Sequence, residues 1–274
     1  MKNLATSKND INLIAGSGHF AYESAIFLHK INRLNKIYLI NENKILNKKF
    51  KNIVIKFDIR NIEQLINNIK KDKTNNVLIV GYVNFPPISE INLSFLSKLY
   101  LKKDLYQKSI NDQSLILKKF LTNKKISLIS QKKIFKDFLL QNNDYIYKKN
   151  HTKLISNIKA NKKDIERIFN LNICQSIIMN GNRILSYEDI YGTDNMIERI
   201  GKINKEFSDL IFIKSKKKNQ IDEIDFPILG ANTIKLLQRY NFKVLCSFNQ
   251  KVIISKKQTF LDQISKSNLS LVVL

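Results

Sequence analysis

Two stretches of the chain are apolar almost throughout: Ile11 to Ala15 is interrupted only by Asn12, and Val77 to Val80, ending at Gly81, is apolar at every position. Runs of this kind suit strands covered on both faces, as in a parallel sheet. Around them the pattern alternates between strand and helix. It predicts a helix from about Phe20 to Leu34, strands at Ile37 to Ile40 and Ile53 to Phe57, and a helix over Ile62 to Lys70. After a long segment containing Phe85-Pro86-Pro87, a helix near Asp112 to Leu121, a strand Ile126 to Ile129 and a helix Gln131 to Leu140 are expected. Successive βαβ units of this kind predict a Rossmann-like α/β domain on a parallel sheet, over residues 1–140.

Residues 141–153 (QNNDYIYKKNHTK) are polar and aperiodic, which predicts an inter-domain linker. A smaller α/β domain over 154–274 follows, with a helix Lys162 to Leu171 and strand-like runs around Ile173 to Met179 and Arg183 to Glu188. Asn180-Gly181 between those runs is a hairpin signal. A helix near Asp194 to Ile203, a strand Leu210 to Lys214, a helix Asn232 to Tyr240, and strands near Val244 and Val252 to Ile254 complete the expected elements.

Composition adds charge to this picture. The 274 residues include 47 Lys or Arg against 23 Asp or Glu, a net charge of +24. That excess predicts an anionic partner. The bases are nonetheless dispersed in short runs, and Lys, Asn and Ile crowd every segment, as an A/T-rich codon background produces. Nucleic-acid binding calls for a basic stripe with interleaved aromatics, so no nucleic-acid partner is expected. Apolar runs are too short for a membrane span, and the opening MKNLATSKND lacks the apolar core of a signal peptide, so a soluble cytoplasmic protein is expected. Two cysteines, Cys174 and Cys246, give no disulfide framework, and His19, His29 and His151 stand apart from one another. Any metal should therefore be held by oxygen.

Two motifs carry candidate chemistry. Gly16-Ser17-Gly18-His19-Phe20-Ala21 fits G-x-G-x-x-[GA] between a strand and a helix, with Glu42 at the end of the next strand as a ribose acceptor. Such a turn serves a dinucleotide, another phosphate ligand, or only a tight bend. The second is Glu188-Asp189-Ile190-Tyr191-Gly192-Thr193-Asp194 after a strand, with Glu198 and Arg199 beyond. Thr193 or Asp194 can cap the following helix, or the carboxylates and helix N-terminus can receive a phosphate and its divalent metal. Downstream stand Lys214 at a strand end, the acids Asp222, Glu223 and Asp225, and the shaped loop Pro227 to Gly230.

Gln175, Glu188, Gly192-Thr193-Asp194, Arg199, Lys214, Gln220 and Asp225-x-Pro227-x-x-Gly230 together resemble, in order and spacing, the UDP-2,3-diacylglucosamine pyrophosphatase family of the LpxI type. Leu13 to Gly18, Gly81-Tyr82-Val83-x-x-Pro86 and Asn111-Asp112 extend the resemblance over nearly the whole chain. The resemblance implies a Mg²⁺- or Mn²⁺-dependent hydrolase of lipid A synthesis, two-domained, with the lipid-linked nucleotide bound between the domains and cleaved to UMP and 2,3-diacylglucosamine 1-phosphate. It implies Asp225 as the catalytic residue with Asp194 and Glu188 beside it, and Asp225 and Asp194 as metal ligands. Thr193 and Lys214 are implied to hold phosphate oxygens, and Gly16, Ser17, Gly18, Gly81, Asp112, Gln175 and Gly192 to line the substrate. A homodimer at the cytoplasmic face of the inner membrane completes that expectation.

The chain departs from the family pattern at several places. Gln220-Ile221-Asp222-Glu223 stands where Gln-Asp-x-Arg is usual, Lys218-Asn219 replaces Pro-Gly, Tyr82 a Lys, Cys174 a Gly and Asn172 an acid. Two other readings fit parts of the sequence: an NAD(P)-dependent oxidoreductase using Gly16, Gly18, Ala21 and Glu42, and a non-catalytic binder of nucleic acid or an anionic surface.

Overall fold

Strand β1 (Ile11–Ala15) is buried at all five positions and lies between two parallel neighbours, which explains its lack of polar alternation. The computed structural model describes residues 10–40, 43–82, 92, 110–203 and 207–274, with backbone alone at 110–113. They divide into two compact units. The first runs to Ile134 and also takes in Ile221–Asp225; the second comprises Phe135–Gln220 and Phe226–Leu274.

In the first unit β1 is joined by β2 (Leu34–Leu39), β3 (Val54–Lys56), β4 (Asn76–Val80) and β5 (Ser127–Leu128), all parallel, in the order β3-β2-β1-β4-β5. This is the expected Rossmann-like layer. Its described helices are α1 (His19–Lys30), α2 (Lys44–Lys49), α3 (Ile62–Lys71), α4 (Ile110–Asn123) and α5 (Gln131–Ile134). α3 buries Ile62, Leu65, Ile66 and Ile69, the spacing of one helical face, against a core that includes Val77, Ile79 and Phe120. Strand order reverses between β1 and β4, so their carboxyl ends, at Gly16 and Gly81, mark the topological switch point where α/β sheets bind ligands.

The second unit is α/β as well, on a mixed sheet. It contains β6 (Ser176–Asn180), β7 (Arg183–Tyr187), β8 (Leu210–Lys214), β9 (Ile228–Leu229), β10 (Val244–Ser247), β11 (Ile253–Ile254) and β12 (Ser270–Val273). The main sheet has the order β12-β10-β8-β6-β7, with β6 antiparallel to both neighbours, and β9 and β11 form a separate parallel pair. Asn180-Gly181 makes the expected hairpin, Gly181 taking a φ of 55°. Alternation along β8 splits its side chains between two cores: Leu210 and Phe212 on one face, Ile211 and Ile213 on the other. Helices α6 (Thr152–Ala160) and α7 (Lys162–Asn170) cover the second face, and α8 (Gly192–Ile203), α9 (Ala231–Arg239) and α10 (Lys257–Ser265) the first.

Three features differ from the sequence expectations. The helix expected over Gln131 to Leu140 stops at Ile134, and after a 3₁₀ turn at Lys136–Phe138 the chain extends, because Leu139 bridges Ile253 and Leu140 N–H donates to Val252 O. The polar stretch 141–153 belongs to the second unit; Ile146 pairs with Leu271 on both its N–H and its C=O, and Lys148 N–H donates to Ser270 Oγ. The unit boundary consequently falls at residue 134, and residues 221–225 return to the first unit.

Candidate functional site

Antiparallel pairing of β6 with β8 sets Ser176 directly opposite Lys214. Glu188, one residue beyond β7, joins them because its N–H donates to Ser176 O at 2.9 Å. The chain then reverses through Asp189 to Gly192. Asp189 Oδ1 accepts from Tyr191 N–H at 2.9 Å, its carbonyl from Gly192 N–H at 3.0 Å, and its Oδ2 pairs with Arg199 at 2.7 Å. Gly192 takes a φ of 84°, a left-handed geometry that favours glycine, and α8 starts there with Thr193 in its first turn.

These four side chains form one closed network. Ser176 Oγ donates to Glu188 Oε2 at 2.7 Å, and Thr193 Oγ1 donates to Glu188 Oε1 at 2.6 Å. Lys214 Nζ donates to Ser176 Oγ at 3.1 Å and to Thr193 Oγ1 at 2.7 Å, with Glu188 Oε2 at 3.7 Å. Burial is the largest influence on the Glu188 carboxyl and pushes its pKa up, but the Lys214 charge and the hydrogen bonds from Thr193, Ser176 and Lys214 outweigh it. The net result lies below the ordinary carboxylate range. Burial and the Glu188 charge push the neighbouring Cys174 thiol up, which keeps it protonated.

The network gives each residue a definite part. Glu188 has both oxygens occupied beside an ammonium, so it acts as the counter-ion that keeps Lys214 aimed. Thr193 donates to Glu188 and accepts from Lys214, and lies inside the first turn of α8. Asp194, exposed in the first turn of α8, accepts from Thr233 Oγ1 at 3.2 Å through Oδ1 alone. A buried ammonium beside the amino-terminal turn of a helix presents positive potential to an anion such as phosphate. Gln175 is half-buried, and its carbonyl accepts from Ser215 N–H, just past Lys214.

In the first unit the glycine turn closes on itself. Ser17 and Tyr82 form an antiparallel bridge, Ser17 N–H to Tyr82 O at 2.9 Å and the reverse bond at 3.0 Å, and Gly16 N–H donates to Val80 O. Gly81 has a φ of 84°, and a Cβ there would lie 2.6 Å from Ser17 O, so glycine is required for the approach. Gly18 caps α1 at a φ of 103° with open space where a Cβ would project. Asp112 lies in α4, but its side chain is outside the described residues, as are Glu42 and the segment Val83 to Pro86.

Asp225 is exposed on the segment Ile221–Asp225, within the first unit. Gln131 clamps that segment, its N–H to Asp222 O at 2.8 Å and its Nε2 to Ile224 O at 3.3 Å, and Lys118 pairs with Glu223 at 3.0 Å. Glu223, which stands where the family has Arg, is thereby matched by a lysine. Ile224 packs on the core of the first unit.

Among the described residues no three or more His, Cys, Asp or Glu side chains gather as a metal site. Mg²⁺ does not require such a cage, since it is commonly held by one or two carboxylates plus substrate phosphates and water. Asp194 is a hard-oxygen donor of the right type; Glu188, enclosed by Ser176, Thr193 and Lys214, is not available to a cation.

Sequence reasoning missed Ser176 and Thr233. The first is a polar residue opening an otherwise apolar strand, and only the register opposite Lys214 gives it significance. An N-terminal domain model, the LpxI N-terminal domain, matches residues 10–138, and the LpxI C-terminal domain matches 141–272. The chain belongs to the LpxI family. Both LpxI domains lie in their usual order, and Glu188, Thr193 and Lys214 fall in the second. Membership of the LpxI family points to an enzyme of lipid A biosynthesis that acts on a sugar-nucleotide precursor. No curated protein matches the chain. No described helix is long and apolar enough to cross a membrane.

Proposed function

We propose that this LpxI-family protein hydrolyses the pyrophosphate of UDP-2,3-diacylglucosamine, releasing UMP and 2,3-diacylglucosamine 1-phosphate. The observation that carries this reading is the match of the two LpxI domains over residues 10–138 and 141–272. The buried network around Lys214 supports it. In this reaction the oxygen of water bonds to the α-phosphorus, the bond to the bridging oxygen breaks, and that oxygen leaves on the sugar 1-phosphate.

Lys214, positioned by Glu188, and the Thr193 hydroxyl bind phosphate oxygens and stabilise the charge that grows on them as the bond breaks. Gly192 sets the start of α8 so that its first-turn amides contribute to the same end. Gln175 forms a polar boundary beside Lys214. In the first unit the switch-point residues Gly16, Ser17, Gly18 and Gly81, with Asp112, belong to substrate binding in this reading. Asp225 would orient the attacking water or hold metal, and Asp194 would be the second metal ligand. A bound Mg²⁺ or Mn²⁺ would neutralise pyrophosphate oxygens and polarise the phosphorus. The protein acts in the cytoplasm at the inner face of the inner membrane, as a homodimer.

The deciding experiment is release of UMP from UDP-2,3-diacylglucosamine by purified protein, with Mg²⁺ and then with excess EDTA. Metal-dependent release that disappears in Asp225→Ala is expected; full activity in that variant overturns the assignment of Asp225, and no release at all from folded, metal-supplied protein overturns the reaction.

A further inference from the structure

Two segments that flank the Ser176–Glu188–Thr193–Lys214 network leave large apolar side chains in water. Leu171 and Ile173 lead into β6, while Tyr187, Ile190 and Tyr191 end β7 and form the turn after it. Their exposures run from 58% for Tyr187 to 85% for Ile190. The pair Ile177 and Tyr187, continued by Glu188 N–H to Ser176 O, carries these two segments side by side. Apolar side chains gathered at one edge mark an interaction surface.

Charge at that edge identifies the partner's chemistry. The run Lys216-Lys217-Lys218 is drawn to it, since Lys218 N–H donates to Phe169 O at 3.4 Å and Asn219 N–H to Asn172 Oδ1 at 2.7 Å. Lys218 is exposed and Lys217 half-buried. Protein interfaces are depleted of lysine, whereas a lipid surface accepts lysine at its phosphates, tyrosine among its headgroups and isoleucine or leucine at the acyl boundary. We propose that this edge of the second unit docks on an anionic lipid bilayer, with Ile190 and Tyr191 entering the headgroup region and Lys217 and Lys218 meeting lipid phosphates. The inference rests on the proposed place at the inner face of the inner membrane and adds the surface that meets it, while the vesicle assay tests that surface apart from the reaction.

The test is co-sedimentation of the full chain with vesicles of phosphatidylethanolamine and phosphatidylglycerol, set against phosphatidylcholine alone. Binding to the anionic vesicles is expected to fall about tenfold or more in the double variant Ile190→Ser/Tyr191→Ser. It should fall more in Lys217→Gln/Lys218→Gln than in Lys70→Gln/Lys71→Gln, which removes equal charge from an exposed helix end elsewhere. An Ile190/Tyr191 variant that is folded by circular dichroism yet pellets like the wild type overturns the docking surface. So does an equal loss from the two lysine pairs, which would mean attraction by overall charge alone. UMP release from detergent-dispersed substrate, measured on the same proteins, separates the two readings: absent release with intact vesicle binding counts against the reaction only.

Discussion

Lys214 Nζ donates to Thr193 Oγ1 at 2.7 Å, joining the last residue of β8 to the first turn of α8. The bond makes the position of the ammonium depend on a hydroxyl that itself leans on Glu188. Thr193→Val should therefore lower UMP release by roughly 10²-fold, the usual effect of losing one donor that stabilises developing charge, while Lys214→Met should lower it at least as far. Steady-state rates with circular dichroism as the folding control measure both.

Removing one partner of the buried pair strands the other. Lys214→Met leaves Glu188 without its counter-ion and should cost about 3 kcal/mol of stability, whereas Lys214→Met/Glu188→Gln should recover a large part of that loss. Urea midpoints for the two single variants and the double variant give the coupling directly.

Acid should weaken the fold in two separable steps. The His151 pKa is lowered, chiefly by burial and then by the Lys243 charge. Its folded value lies below the ordinary 6.5, so the stability it contributes is complete above 6.5 and declines as pH falls toward the folded value. Glu188 is also depressed, below its ordinary 4.5, so its contribution is complete above 4.5 and is lost as pH falls through the folded value. Urea midpoints from pH 8 to pH 3 should drop first below pH 6.5, and that first drop should vanish in His151→Phe; the later one should shrink in Glu188→Gln.

Glycine substitutions should rank by what the new Cβ meets. At Gly81 it meets Ser17 O at 2.6 Å on a φ of 84°, and at Gly201 it meets the Tyr240 ring at 2.1 Å; at Gly18 nothing lies within 4 Å. Gly81→Ala and Gly201→Ala should each lower the melting temperature more than Gly18→Ala, which bears backbone strain of order 1 kcal/mol alone. Gly201→Ala is the sharper case because alanine favours helices by about 1 kcal/mol. Tyr240→Ala in the same chain should restore that benefit.

β1 and β8 begin and end where the sequence pattern puts them, because strands buried on both faces are apolar at nearly every position, Asn12 and Lys214 being the exceptions. The hairpin at Asn180-Gly181 and α3 were legible for related reasons, one a turn chemistry and the other a helical face. Ile146 was hidden inside QNNDYIYKKNHTK because one apolar residue among polar ones carries no period, although it pairs fully with Leu271. Sequence reasoning missed α10 and β12, although Leu271 to Leu274 is as apolar as Val77 to Val80. At the site, Glu188, Thr193 and Lys214 came from motif and resemblance. Ser176 needed the β6–β8 register, a long-range pairing that no local pattern encodes.

The return of Ile221–Asp225 to the first unit has a consequence during synthesis. Gln131, buried with its backbone N–H and its Nε2 committed to Asp222 and Ile224, waits for partners that are translated some ninety residues later. A nascent first half thus emerges from the ribosome with its sheet buildable and one flank uncovered, and its closure is timed by the arrival of the chain that carries Asp225.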